Sequence, residues 1–403
     1  MSLANLARVH AVLPMVRPTR TARGFLYAGS LLRAGQAVAP VWLAVLAAAG
    51  SGCGGESGDP IPSPEPDRSD CREEPPPIER GFGAPGPHAV EILTISNPAF
   101  PQLGVTLHRP VDVAAPPMIV FGHGNGLADP HSYSRLLHHI ASRGYAVVYA
   151  SHQLDDQSYE DRYRALWSGV SAAVSEHSER LDLDRVGFVG HSYGAGALPY
   201  LAHRALVDEG FGRRGALLLS MAPWYALGMT GEKWSELPDH LEVLILSFED
   251  DEVTDHRIAI DLHDRLAVER NTYLMVRSDD HRGCELRADH SVPQSAGLGG
   301  RHDALDEYAV FRLFDALAAS VFQGDPAATR IANGLPYEKG SRDQLSMRAW
   351  TDGVSGSPLY FSTDPQPAKP ESHYLFKLAD REAWLSYPYG TPPSTAAAEA
   401  ALN

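Results

Sequence analysis

The 403-residue chain is predicted to fold as an α/β protein: a mostly parallel sheet with helices on both faces, followed by a small β-rich appendage. Three observations predict it. Short apolar runs alternate with longer runs of helical periodicity from about residue 118 to residue 322. One apolar run, Val186-Gly187-Phe188-Val189, leads directly into Gly190-His191-Ser192-Tyr193-Gly194 and then into a helix-like stretch from Ala197 to Leu206. Only the stretch Met221 to His240 separates the next two strands, which leaves no room for a large cap domain.

Residues 1–53 read as an address. From Met1 to Ser51 there is no acidic residue, and Arg8, Arg17, Arg20, Arg23 and Arg33 precede an apolar run over 37–49. That run is too short to cross a bilayer comfortably and has the length of a secretory leader's apolar region. Gly50-Ser51-Gly52-Cys53 then resembles a bacterial lipoprotein cleavage box, with Gly50 where a leucine is usual. The expectation is an exported protein, either anchored at the cell envelope through a lipidated Cys53 or secreted; an organelle transit peptide is the alternative. Residues 54–88 carry Pro60, Pro62, Pro64, Pro66 and Pro75-Pro76-Pro77 among acids and glycines, a composition that favours a tether. The cysteines left over, Cys71 and Cys284, are a candidate disulfide in an oxidising compartment, the alternative being two unpaired thiols.

The expected domain spans 89–323. Residues 89–96 and 103–109 open it as two strands, the first alternating apolar and polar. Met118 to Phe121 is a short buried strand, followed by Gly122-His123-Gly124-Asn125-Gly126 and a helix over 132–143. A strand over 145–150, a long helix over 161–180 and the strand beginning at Arg185 come next. Three further strands cover 216–220, 241–247 and 272–276, with helices over 255–268 and 303–322. Residues 324–403 break this pattern into short alternating runs between Gly and Pro, the expected appendage and a loose tail.

A formal net charge of -16 argues against a nucleic-acid groove, which needs concentrated positive charge to displace counterions. Chemistry is read instead from the strand–Gly-x-Ser-x-Gly–helix junction. A turn this sharp needs Gly190 and Gly194 without side chains, and it lifts Ser192 to the N-terminus of a helix, where negative charge is favoured.

With Gly122 to Gly126 and the helix Tyr133 to Arg143, this junction resembles the α/β-hydrolase superfamily over residues 89–323. Within it the chain is most similar to the lineage of dienelactone hydrolases, platelet-activating-factor acetylhydrolases, chlorophyllases and cutinase-like polyesterases. The resemblance implies an α/β-hydrolase fold and hydrolysis of carboxylic esters through an acyl-serine intermediate on Ser192, with no cofactor and no metal. It implies an oxyanion hole formed by the main-chain N–H groups of Asn125 and Tyr193. Phe248 to Thr254 resembles the family's acid-bearing stretch and points to Asp251, with Asp250 as the alternative because four acids in a row let the register slip.

The base is expected shortly after the strand ending near Val276. His281 is preferred, since His290 would require the intervening loop to fold back over the site. Trp224, just past a strand end, resembles an aromatic near the acyl site of cutinase-like polyesterases; ordinary packing is its alternative role. An uncapped cleft suits bulky, lipidic or polymeric esters. Peptidase or acyltransferase chemistry on the same residues, and a non-catalytic binding scaffold, are the competing readings. A metallohydrolase using Asp279, Asp280, His281, Asp289 and His290 is a further rival, but no metal-ligand spacing supports it.

Overall fold

The computed structural model describes residues 75–153, 158–295, 300–334 and 340–361. The leader, Cys53, Cys71, the first part of the tether and the tail lie outside the described residues. An eight-stranded sheet is built from β1 (Val90–Ser96), β2 (Gly104–Pro110), β3 (Pro117–Gly122), β4 (Ala146–Ala150), β5 (Asp182–His191), β6 (Gly215–Met221), β7 (Leu241–Phe248) and β8 (Asn271–Val276). Their order is β1-β2-β4-β3-β5-β6-β7-β8. β2 pairs antiparallel with both β1 and β4, and every other pairing is parallel. A separate antiparallel hairpin, β9 (Asp279–His281) and β10 (Cys284–Leu286), follows the last strand.

The helices are α1 (Ser134–Ser142), α2 (Tyr159–His177), α3 (Tyr193–Ala202), α4 (Gly231–Glu236), α5 (His256–Arg265), α6 (Arg312–Gln323), α7 (Pro326–Ala332) and α8 (Arg342–Leu345). Some of their ends fall where the sequence supplies a reason. Ser158 caps α2 by accepting from the Asp161 N–H, with Glu160 and Asp161 in the first turn; Asp255 caps α5; α6 stops at Gly324, whose φ of 66° suits a residue without a Cβ.

Strand alternation divides the core into two layers. Ile119 and Phe121 of β3 and Leu217 and Leu219 of β6 face the layer formed with Leu136 and Ile140 of α1 and Leu313 and Leu317 of α6. Met118, Val120 and Leu218 face the opposite layer, with Leu166 and Val170 of α2, Leu198 and Leu201 of α3 and Ile260 of α5. Both faces are therefore covered, which explains why the central strands read as continuous apolar runs rather than as alternations. The sheet is the α/β architecture the sequence predicts.

One boundary is corrected. The tether expected to run to residue 88 ends earlier, because residues 75–88 lie against the domain. Ile78 is buried and its N–H donates to Glu307 Oε2 at 2.8 Å; the Gly83 N–H donates to Asp315 Oδ2 at 2.8 Å; a Cβ on Gly86 would lie 2.0 Å from the Ser142 carbonyl oxygen. Composition missed this because only a few apolar side chains, Ile78, Phe82 and Ala84, join the core, and main-chain donors of Ile78, Gly83, Gly86 and His88 hold the segment beside them. After α6, the described part of the appendage consists of α7, α8 and two isolated bridges. One of these joins Tyr360 to Met275 on the outer edge of β8. The stretch 221–240 contains only the short helix α4 between β6 and β7.

Asp315 holds the N-terminal segment, α1 and α6 together, since it also takes His139 Nε2 at 3.0 Å and Arg143 Nε at 3.2 Å. Asp315→Ala leaves His139 and the Gly83 N–H buried without their acceptor and is expected to cost about 3 kcal/mol. A urea-unfolding midpoint close to that of the wild type would show that residues 75–88 are not held this way.

Candidate active site

The site grows from the end of β5. Ser192 has φ 55° and ψ -124°, a backbone conformation that L-residues rarely adopt, and it is held there from both sides. Its N–H donates to the Met221 carbonyl at 2.9 Å, while its own carbonyl accepts from the N–H groups of Gly196 at 3.1 Å and Trp224 at 3.0 Å. The flanking glycines are required by backbone contact. A Cβ on Gly194 would lie 2.1 Å from the Gly122 carbonyl carbon, and one on Gly190 would lie 3.0 Å from the Gly122 oxygen. The end of β3 and the first turn of α3 thus touch main chain to main chain.

Ser192 Oγ lies 3.0 Å from His290 Nε2, and His290 Nδ1 lies 2.7 Å from Asp251 Oδ2. With the Nδ1 proton donated to the carboxylate, Nε2 is left to accept the serine hydroxyl proton. The carboxylate is itself held. Asp251 is buried and accepts from the N–H groups of Val253 at 2.7 Å and Thr254 at 2.8 Å and from Thr254 Oγ1 at 2.8 Å.

Of the two acids proposed from the sequence, Asp251 meets the histidine. Asp250 instead accepts from Ser278 Oγ at 2.5 Å, and its N–H donates to the Ala288 carbonyl at 2.8 Å.

The preference for His281 is corrected. Past β8 the chain forms the β9–β10 hairpin, whose tip residues Arg282 and Gly283 have φ of 54° and 80°. This hairpin carries His281 away from Ser192, to Asp352 Oδ2 at 2.8 Å and to the Trp350 ring at 5.2 Å. The return strand then brings residues 287–290 back over the end of β7. The folding back that seemed to disfavour His290 is supplied by the hairpin and fastened at Asp250, Ser278 and Ala288, the last of which donates its N–H to Ser278 Oγ at 2.9 Å. Cys284, on β10, is disulfide-bonded, and its partner lies outside the described residues.

Facing this strand-to-helix turn is the loop Gly122 to Gly126. Among the described residues no hydrogen bond occupies the main-chain N–H of Asn125 or Tyr193. The loop is secured on either side. Gly124 donates its N–H to Tyr133 Oη at 2.9 Å, and that hydroxyl lies 2.9 Å from His191 Nδ1, the residue before Ser192. His123 Nδ1 donates to the Gly124 carbonyl at 2.8 Å and its Nε2 accepts the His152 N–H at 3.1 Å, while His152 Nε2 donates to the His123 carbonyl at 3.0 Å. Their rings stack 3.8 Å apart. Tyr133, His152 and His191 were not singled out from the sequence. Only His152, just past the carboxyl end of β4, carried a positional hint.

Trp224 is half-buried beside the nucleophile. Its N–H is fixed to the Ser192 carbonyl, and its ring meets Tyr225 edge-on at 5.1 Å. Among the described residues no cluster of three or more His, Cys, Asp or Glu side chains is arranged to hold a metal. Comparison with models of known protein families and with curated proteins returns no match to this chain.

Burial keeps the supporting histidines neutral. It pushes His152 down to about 4, and it holds His123 and His191 well below 6.5, each also disfavoured from charging by a neighbouring imidazole, His152 and His290 respectively. Because these folded values are depressed, the stability contributed by each neutral ring is complete above the unfolded value of 6.5 and is lost as pH falls, in the case of His152 down to about 4. Each ring should steepen the decline by about 1.4 kcal/mol per pH unit within its window. His152→Gln, which keeps a side-chain N–H for the His123 carbonyl, is expected to remove about that much from the slope. Urea midpoints measured between neutral and acid pH check this, and an unaltered slope contradicts it.

Proposed function

We propose that the protein is a serine hydrolase of the α/β-hydrolase type that cleaves carboxylic esters through an acyl-serine intermediate. The observation that carries the reading is the continuous hydrogen-bonded line from Ser192 through His290 to Asp251, set on a strained strand-to-helix turn. The chain order Ser192, Asp251, His290 is the order expected of such enzymes.

In acylation, Ser192 Oγ attacks the ester carbonyl carbon while its proton passes to His290 Nε2. The carbonyl π pair moves onto oxygen, and this oxyanion is received by the main-chain N–H groups of Asn125 and Tyr193. Asp251 stabilises the imidazolium by holding Nδ1–H. The intermediate collapses as the C–O bond to the alcohol breaks, and His290 returns the proton to the departing oxygen. Water then attacks the acyl carbon with its proton passing to His290, and collapse restores Ser192 with that proton as the acid leaves. Each oxyanion donor is typically worth about 3 kcal/mol in such a step.

Substrate preference is part of the proposal. A single short helix between β6 and β7, and Trp224 fixed beside the nucleophile, favour esters with long-chain, aromatic or polymeric parts. Export belongs to it as well. The disulfide at Cys284 supports an oxidising compartment, and attachment through a lipidated Cys53 is the proposed anchor.

The test is a chain-length series of 4-nitrophenyl esters on the purified protein. Ser192→Ala and His290→Ala are expected to lower kcat by about 10⁴-fold or more, and Asp251→Asn by about 10⁴-fold. His281→Ala should stay within about threefold, because that ring serves the appendage. Trp224→Ala should reduce turnover of long-chain and aromatic esters more than that of acetate esters. Wild-type protein inert across the series, or a Ser192→Ala variant as active as the wild type, would overturn the reading.

A further inference from the structure

We propose that Arg162 is a positioning residue that sets both oxyanion donors at once. The inference rests on the hydrolase reading of Ser192, Asp251 and His290. Arg162 sits in the first turns of α2, outside the Ser192–His290–Asp251 line. Its Nη1 donates to Asn125 Oδ1 at 2.7 Å, and its guanidinium carbon stands 5.2 Å from the centre of the Tyr193 ring. One cation therefore grips the side chains of the two residues whose main-chain N–H groups are assigned to the oxyanion. Those residues belong to different elements, the exposed loop after β3 and the first turn of α3.

The grip is the outer end of a column of rings. Tyr149 of β4 stacks on His123 at 5.4 Å, His123 on His152 at 3.8 Å, and His152 on Tyr193 at 5.3 Å, with Arg162 over Tyr193 on α2. Inside, the loop is tied through His123, Gly124 and Gly126, the last donating its N–H to Gln153 Oε1 at 2.9 Å. Asn125 is exposed, and among the described residues its side chain is held by the bond from Arg162. A charge-assisted hydrogen bond and a cation–π contact at this spot set where its N–H points relative to that of Tyr193. Misplacing a donor by about 1 Å costs far more in the transition state than in the bound ester, because the charge exists only there.

The experiment measures kcat and KM on one 4-nitrophenyl ester, together with inhibition by an aryl trifluoromethyl ketone. The serine adds to this ketone to give a tetrahedral oxyanion, and the plain methyl ketone of the same shape serves as the ground-state control. Arg162→Met is expected to lower kcat about tenfold with KM within about twofold, and to weaken the trifluoromethyl ketone by the same factor while leaving the methyl ketone unchanged. Arg162→Lys keeps a cation near the Tyr193 ring and should recover part of the loss. Asn125→Ala removes the Oδ1 acceptor but keeps the main-chain N–H, so it should match Arg162→Met, and the double variant should be no worse than either single. If Arg162→Met is poorly folded, Asn125→Ala alone carries the test: an about tenfold loss of kcat with KM within about twofold and a matching loss of trifluoromethyl ketone inhibition supports the inference, and wild-type values overturn it. A rise in KM with kcat unchanged, losses that add in the double variant, or unaltered ketone inhibition would overturn the inference while leaving wild-type esterase activity intact. A wild type that neither hydrolyses esters nor binds the trifluoromethyl ketone would overturn the hydrolase reading itself.

Discussion

The structure depends on a place where backbone meets backbone. Gly194, in the first turn of α3, lies so close to Gly122 at the end of β3 that a methyl group on it would fall 2.1 Å from a carbonyl carbon. This contact sets how steeply the chain turns out of β5. It brings the start of α3 beside the loop that follows β3, and it leaves Ser192 with φ of 55°. Strain at such a residue persists only because its surroundings over-determine it. Here Met221, Gly196 and Trp224 all bond to the Ser192 main chain, so the strained turn is fastened to β6 as well as to its own helix.

A second constraint decides which side chains meet the serine. The loops after β7 and β8 are laced together by Asp250, Ser278 and Ala288, and this lacing brings residue 290 back over the end of β7. Two adjacent acids thereby acquire different tasks. Asp250 fastens the loop, while Asp251, turned the other way and held by Val253 and Thr254, presents an oxygen to His290. The β9–β10 hairpin carries His281 outward to Asp352 and Trp350, joining the described part of the appendage to the domain.

The third constraint is the burial of three histidines beneath the loop after β3. His123, His152 and His191 are buried as neutral rings, each with at least one nitrogen committed to a hydrogen bond. Neutral imidazoles accept and donate at defined positions without the cost of a buried charge. They order the backbone opposite Ser192 at ordinary pH and lose that role as acid protonates them.

The sequence alone determined the α/β class, the strand before and the helix after the Ser192 turn, the place of Ser192, and the short list of acids and histidines. These are legible because each depends on residues close together in the chain: apolar runs, glycines flanking a serine, acids just past a strand. The tertiary structure alone decided between His281 and His290, between Asp251 and Asp250, and where residues 75–88 go. It also placed Tyr133, His152, His191 and Arg162 against partners on other elements. The physical reason is that a loop's path follows from hydrogen bonds such as that from Ser278 to Asp250, between residues 28 apart in the chain. Hydrophobic periodicity carries no record of such bonds, whereas three-dimensional packing makes them unavoidable.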